Sequence, residues 1–271
     1  MSNIKREQLK NNFLKEIIIR LDFQNILEND IPKIISMIKN YVEQLGFDRY
    51  EERNTGNINV DIRKNDFGSP DVTSNITNKK KVYCFTDEIG YLLELTDSSV
   101  VVRYSSTKYI PFEKHFDIIS NIVKIISDNS SFFTEKRFGV RKINKCLLKD
   151  KLLINKFFNP KVISFYDEDK NAMMCTRSDI FVNGNECINF NRSIIQGKSN
   201  NDILYQISLD IDAYIQEINA IKNTIYNQEE VLKLNNTIFD IFIGSLTEEL
   251  KKNLINEEWN LTEIIGVEAN E

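Results

Sequence analysis

Two pairs of charged residues at short, regular spacing carry the most chemistry in this chain. Asp210 and Asp212 lie two residues apart, and Arg137 and Arg141 lie four apart. On a β-strand, either spacing puts both members of a pair on the same face. Two carboxylates about 7 Å apart along a strand can share a divalent ion, given further ligands. Two guanidiniums on a neighbouring strand can neutralise those carboxylates and fix the strand register. Arg20 and Arg103 join the set, since each is a charged residue set between apolar neighbours (Ile19 and Leu21, Val102 and Tyr104).

Other catalytic hardware is sparse. The chain has no phosphate-binding glycine loop, no dinucleotide turn, no nucleophile elbow and no H-E-x-x-H helix. His115 is the only histidine, and the sequence supplies no nucleophile for it to serve. Its place in Phe112–Phe116 fits a partly buried helix residue. Cys84, Cys146, Cys175 and Cys187 are too far apart for a metal-ligand pattern and read as free thiols. Asp66 or Asp71 with Glu94 would form a nuclease-like group only if a long loop folded back. Asp167-Glu168-Asp169 reads as a hairpin turn. No catalytic residue, metal or cofactor is therefore expected.

The candidate residues must be positioned by strands and helices. Glu16–Phe23 alternates strictly, with Ile17, Ile19, Leu21 and Phe23 on one face. A helix follows, with Ile31, Ile34, Ile35, Ile38, Tyr41, Val42 and Leu45 at helical spacing. Asn29 or Asp30 suits its cap, Pro32 its first turn and Gly46 its end. The polar stretch Asn54–Lys81 predicts one strand at Ile58–Arg63 and then a loop through Asp66, Gly68, Ser69 and Pro70. Lys81–Thr86, Tyr91–Thr96 and Val100–Tyr104 are short strands, and Phe112–Asp128 is a helix.

A similar order then begins again. Arg137–Leu148 is a strand and Lys151–Asn159 a short helical stretch stopped at Pro160. Strands are predicted at Val162–Tyr166, Ala172–Arg177 and Asp179–Val182. Asn183-Gly184-Asn185 marks a hairpin turn before Glu186–Asn191. Asp202–Tyr214 is a further strand, and Glu229–Leu254 a long helix with a kink or restart near Gly244, where Ser245 and Glu248 form a capping pair.

The chain of 271 residues is long enough for two packed halves, 1–130 and 131–271. Its 41% apolar and 28% charged content is that of a core-forming protein. The N-terminus has no signal-peptide core and no apolar run spans a membrane, so a cytoplasmic protein is expected. The net charge of −5 argues against a dedicated nucleic-acid binder. Residues 135–161 nevertheless hold nine Lys/Arg against two acids, while 227–271 holds ten acids against three lysines. Two such segments can face each other.

A strand, helix, four strands and helix, run twice, resembles the TATA-binding-protein type of saddle. The resemblance implies an α+β fold in which an antiparallel sheet carries helices on one face. It also implies that the first and last strands of each half are neighbours. Arg137 and Arg141 would then lie beside Asp210 and Asp212, and Arg20 beside Arg103, all on the face left open.

Arg137-Phe138-Gly139-Val140-Arg141-Lys142-Ile143-Asn144 is also similar to the R-x-G-L-R-Y-I-N signature of a sporadically distributed prokaryotic family of unknown function. Val140 replaces the family's Leu, and Lys142 its usual aromatic. Weaker echoes are Val82–Arg103, Tyr109 with Phe112 and Phe116, and Asp210–Tyr214. The resemblance implies a two-part α+β protein and adds Asn144 to the candidate binding set. The family's patchy occurrence suggests a phage-defence or mobile-element context.

These readings combine into one expectation. The chain is a non-enzymatic binding or adaptor protein whose open sheet face, carrying Arg137, Arg141, Asp210, Asp212, Arg20 and Arg103, receives another protein. Two alternatives are kept: nucleic-acid binding through residues 135–161, and metal-dependent hydrolysis at Asp210 and Asp212.

Overall fold

Alternation of apolar and polar residues, strongest in Glu16–Phe23 and Gln206–Ala213, builds an open antiparallel sheet covered by helices on one side. The computed structural model describes residues 4–64, 70–105, 110–167, 172–199, 202–256, 264–265 and 268–269, with backbone alone at 56–64, 70–79, 199, 264–265 and 268–269. The first segment runs β1 (Leu14–Gln24), α1 (Ile31–Gln44), β2 (Arg49–Lys64), β3 (Pro70–Thr86), β4 (Tyr91–Leu95), β5 (Ser99–Tyr104) and α2 (Phe112–Asp128). The second runs β6 (Thr134–Leu148), α3 (Leu152–Phe157), β7 (Met174–Asn183), β8 (Glu186–Ser199), β9 (Asp202–Ile215), α4 (Ile218–Ile225), α5 (Gln228–Gly244) and α6 (Glu248–Ile255).

The sheet order is β2-β3-β4-β5-β1-β6-β9-β8-β7, and every pairing is antiparallel. Within the large sheet the two segments join where β1 pairs with β6 over Leu14–Gln24 and Thr134–Asn144. Two short ladders tie the chain ends to this frame. Asn11–Asn12 pairs with Glu268–Ala269, and Ile264–Ile265 pairs with the end of β6.

One parity of each central strand is buried. Ile17, Ile19, Leu21 and Phe23 of β1 share the covered face with Phe138 and Val140 of β6 and with Ile207, Leu209, Ile211 and Ala213 of β9. Helices α1, α2, α4 and α5 contribute Ile34, Ile38, Val42, Ile119, Ile122, Ile221, Leu234 and Ile238 to the same core. Each large apolar side chain removed from water contributes about 1.5–3 kcal/mol, so the helix layer holds the sheet against the entropy of ordering it. Pro32 lies in the first turn of α1, and Gly46 (φ +94°) ends that helix in the left-handed conformation that glycine adopts without strain.

The structure departs from the sequence reading in five places, one of them helix α4 (Ile218–Ile225), for which no element is expected. Val162–Tyr166 is not a strand. Asn159 accepts the backbone N–H groups of Val162 and Ile163, so the segment after Pro160 coils into turns that lay Ile163 on the core. The two short strands at Ala172–Arg177 and Asp179–Val182 are one, β7. Arg49–Lys64 and Pro70–Thr86 pair as two long antiparallel strands, β2 and β3, where a strand at Ile58–Arg63, a loop and a short strand at Lys81–Thr86 are expected. Residues 65–69 lie outside the described residues, as do Tyr109 and Glu168–Asp169. The last helix is divided, with α5 ending at Gly244 and Thr247, not Ser245, capping α6 through the Leu250 N–H. Among the described residues no helix is long and apolar enough to cross a membrane.

Candidate functional site

The open face of the central strands holds a trough of about 410 Å³. Arg20 and Asp22 come from β1, Arg103 from β5, Glu94 from β4, Arg137 and Arg141 from β6, and Asp212 from β9. All are odd or even positions of the parity opposite to the buried one in their strand, which is why a single sheet face collects them.

The β6–β9 register sets Arg141 directly across from Asp212 and Ile143 across from Asp210. The side chains pair on the diagonal. Arg141 donates from Nε and Nη2 to the two oxygens of Asp210 at 2.7 and 2.6 Å. Arg137 reaches further, past Tyr214, to donate to Asp212 at 2.6 Å. Its guanidinium lies 4.3 Å from the Tyr214 ring centroid, a cation–π stack on the way. Gly139 makes that path available. It sits opposite Tyr214, and a Cβ there would come within 2.9 Å of Tyr214 Cβ and 3.3 Å of Arg137 Nη2.

Arg20 and Arg103 reach the same trough without pairing with each other. Arg20 donates to Asp22 at 2.6 Å, and Arg103 lies 3.2 Å from Glu16. Burial pushes the Asp212 carboxyl above its ordinary value, against the opposing pull of Arg137 and Arg141. The bond to Asp210 raises the Arg141 guanidinium further.

Exposure gives this ladder a polarity. The side chains of Arg20, Arg103 and Arg141 are 49%, 40% and 42% exposed. Those of Glu16, Asp22, Asp210 and Asp212 are between 16% and 24%. The carboxylates form a floor, and three guanidiniums stand above it.

Asn144 is not part of this surface. It has the even parity of Phe138 and Val140, so it points to the covered face, where it is buried and donates to the Leu209 carbonyl. There it lines a smaller cavity of about 80 Å³ with Arg6, Leu9, Asn12, Leu14, Lys142, Ile238, Phe239 and Phe242. Lys142 lies over the Phe112 ring at 5.4 Å. Burial, with the nearby Arg6 charge, lowers its ammonium from 10.5 to about 7. The sequence signal for this cavity is Lys142, a lysine at a position of β6 whose parity is otherwise buried.

The remaining candidates have structural partners. His115 is 1% exposed, its Nδ1 2.7 Å from the Tyr91 hydroxyl and its Nε2 3.3 Å from the Ile110 carbonyl. Burial lowers its pKa from 6.5 to about 4, so the ring is neutral, accepting from Tyr91 and donating to Ile110. Cys84, Cys146, Cys175 and Cys187 are free. Among the described residues no group of three or more His, Cys, Asp or Glu is placed to hold a metal ion, and Asp210 and Asp212 are each engaged by a guanidinium. The basic run 135–161 is split by alternation. Arg137, Arg141 and Lys145 take the open face of β6 and Lys142 the covered one, while Lys156 in α3 pairs with Glu249 of the acidic C-terminal segment at 3.2 Å.

No family model matches the chain, and no curated protein matches it. Among solved structures, the S. pombe Pct1 RNA triphosphatase in complex with the Spt5 CTD aligns with 92% of this chain and 88% of its own. The identity is 6% and the TM-score 0.15, too low to carry an argument about fold or activity.

Proposed function

We propose that this chain is a binding protein whose open sheet face receives an acidic segment of another protein. The observation that carries the reading is the layering of the trough, in which half-exposed Arg20, Arg103 and Arg141 overlie a sunken row of carboxylates. An approaching chain meets cations first. Guanidinium forks bind carboxylates in two-point geometry, and the acidic floor holds them in place.

For the architecture we propose two halves of a saddle resembling the TATA-binding-protein type. The pairing of β5 with β1 and of β6 with β9, with β1 and β6 joined at the centre, supports that reading.

The test is capture of partners from a lysate by the immobilised chain, repeated with Arg20→Glu/Arg103→Glu. These two arginines are chosen because both are half-exposed, so their reversal leaves Asp210 and Asp212 paired. Loss of the captured protein, with salt weakening its capture by the parent, is the expected result. Undiminished recovery by the double variant would sink the site.

A further inference from the structure

Strand β7 is one edge of the sheet, and among the described residues nothing pairs with its outer side. It also exposes large apolar side chains: Met174, Ile180 and Val182 are 61%, 65% and 71% exposed on the open face, and Phe181 is 48% exposed on the other. Edge strands are ordinarily blunted by proline, lysine or a bulge. Residues Met174–Asn183 contain neither residue, and the β7–β8 register runs through without a shift.

Which groups face outward follows from one hydrogen bond. Gln196 N donates to Met173 O at 2.9 Å, in line with the Met174↔Ile195 register. Met173 and Gln196 are therefore a hydrogen-bonded pair. Antiparallel ladders alternate, so Cys175, Arg177, Asp179 and Phe181 bond inward to β8. Met174, Thr176, Ser178, Ile180 and Val182 direct both N–H and C=O away from the sheet.

We propose that β7 pairs with the β7 of a second copy of this chain, antiparallel about a two-fold axis at Ser178. The sequence around Ser178 is self-complementary in that register. Arg177 falls opposite the second copy's Asp179, Met174 opposite its Val182, Thr176 opposite its Ile180 and Cys175 opposite its Phe181. Centring on Thr176 or Ile180 instead leaves Arg177 opposite a cysteine or an asparagine. Ser178 meets its own equivalent as a hydrogen-bonded pair, using the outward N–H and C=O groups. Arg177 and Asp179 then form non-hydrogen-bonded pairs, where side chains stand closest. Asp179 already accepts from Arg177 and Arg192 of its own chain, and a carboxylate has room for a further donor. The join makes the two sheets continuous and is isologous, so it closes as a dimer.

Sedimentation of the full chain tests the dimer, and two substitutions test its geometry. Ile180→Pro removes an N–H that points outward, so it leaves the β7–β8 ladder intact and abolishes dimerisation with unchanged far-ultraviolet dichroism. Ser178→Cys forms an inter-subunit disulfide under mild oxidation, because a hydrogen-bonded pair holds Cα atoms about 5.5 Å apart, within disulfide range. Thr176→Cys, opposite Ile180, does not. A parent chain that stays monomeric at high micromolar concentration overturns the proposal. So does a dimer that survives Ile180→Pro, or equal cross-linking of Thr176→Cys and Ser178→Cys.

Discussion

His115 gives the sharpest test of how the helix layer is packed, because its effect on stability changes with pH in a known direction. The folded ring titrates at about 4 and the unfolded one near 6.5, with burial under α2 as the main cause. A base whose folded pKa is depressed contributes stability that is fully present above the unfolded value and is lost as pH falls toward the folded one. The window is therefore pH 6.5 down to about 4. At 1.36 kcal/mol per pH unit, the loss attributable to His115 reaches about 2 kcal/mol at pH 5 and roughly 3 kcal/mol at pH 4. Acidic residues also begin to titrate there, so the useful quantity is a difference. His115→Gln keeps an acceptor for Tyr91 and a donor for Ile110 but does not titrate. Urea unfolding of both proteins from pH 7.5 to 5 is expected to show the parent losing about 2 kcal/mol more than the variant, with unchanged urea slopes. Parallel loss in the two proteins would refute the buried, neutral assignment.

Other perturbations test separate parts of the structure. Gly139→Ala should destabilise by about 1–2 kcal/mol in urea titrations. Forcing a Cβ to 2.9 Å from Tyr214 Cβ costs about 1–3 kcal/mol, and the entropy gained by replacing glycine returns only about 0.5–1 kcal/mol. A more stable variant would mean that the close approach of β6 and β9 is not there. Lys142→Met should raise stability at pH 7 by about 1 kcal/mol or more, since it removes a desolvated cation. The folded ammonium titrates at about 7 against an ordinary 10.5, so that advantage should shrink between pH 7 and 10, read as converging urea midpoints. Asp87→Ala should cost about 1–2 kcal/mol by thermal unfolding, because its carboxylate accepts the N–H groups of Ile89, Gly90 and Tyr91 at 2.8–2.9 Å.

Much of the frame is legible in the sequence where one periodicity dominates. Ile17–Phe23 and Ile207–Ala213 alternate cleanly because one sheet face is buried and the other wet. Ile31–Leu45 and Phe112–Ile126 keep helical spacing because each lays one stripe on the sheet. Parity alone also predicts that Arg137, Arg141, Asp210 and Asp212 share a face. The diagonal partnering of Arg137 with Asp212 was not legible, since it depends on the missing side chain at Gly139. Asn144 belongs to the signature but not to the open face, because alternation sends it, four residues after Val140, to the covered side with Val140. Val162–Tyr166 looks like a strand because its apolar residues serve the core, but Pro160 and the turn at Asn159 decide its backbone. Helix α4 is not legible in the sequence. Glu217, which accepts the N–H groups of Asn219 and Ala220, is the start signal. An eight-residue helix offers too few turns for its stripe to stand out.

The β1–β6 seam also orders events during synthesis. β1 can pair with β5 once Tyr104 has left the ribosome, but its second partner is complete only when Leu148 has emerged. At about 5–20 residues per second, the central strand, which carries Ile17, Ile19 and Leu21, spends several seconds with one side unpaired. Ribosome-stalled chains ending before Thr134 should therefore be cut by protease near β1, and chains extending well past Leu148 should resist. Equal sensitivity would mean that the first segment shields its own edge.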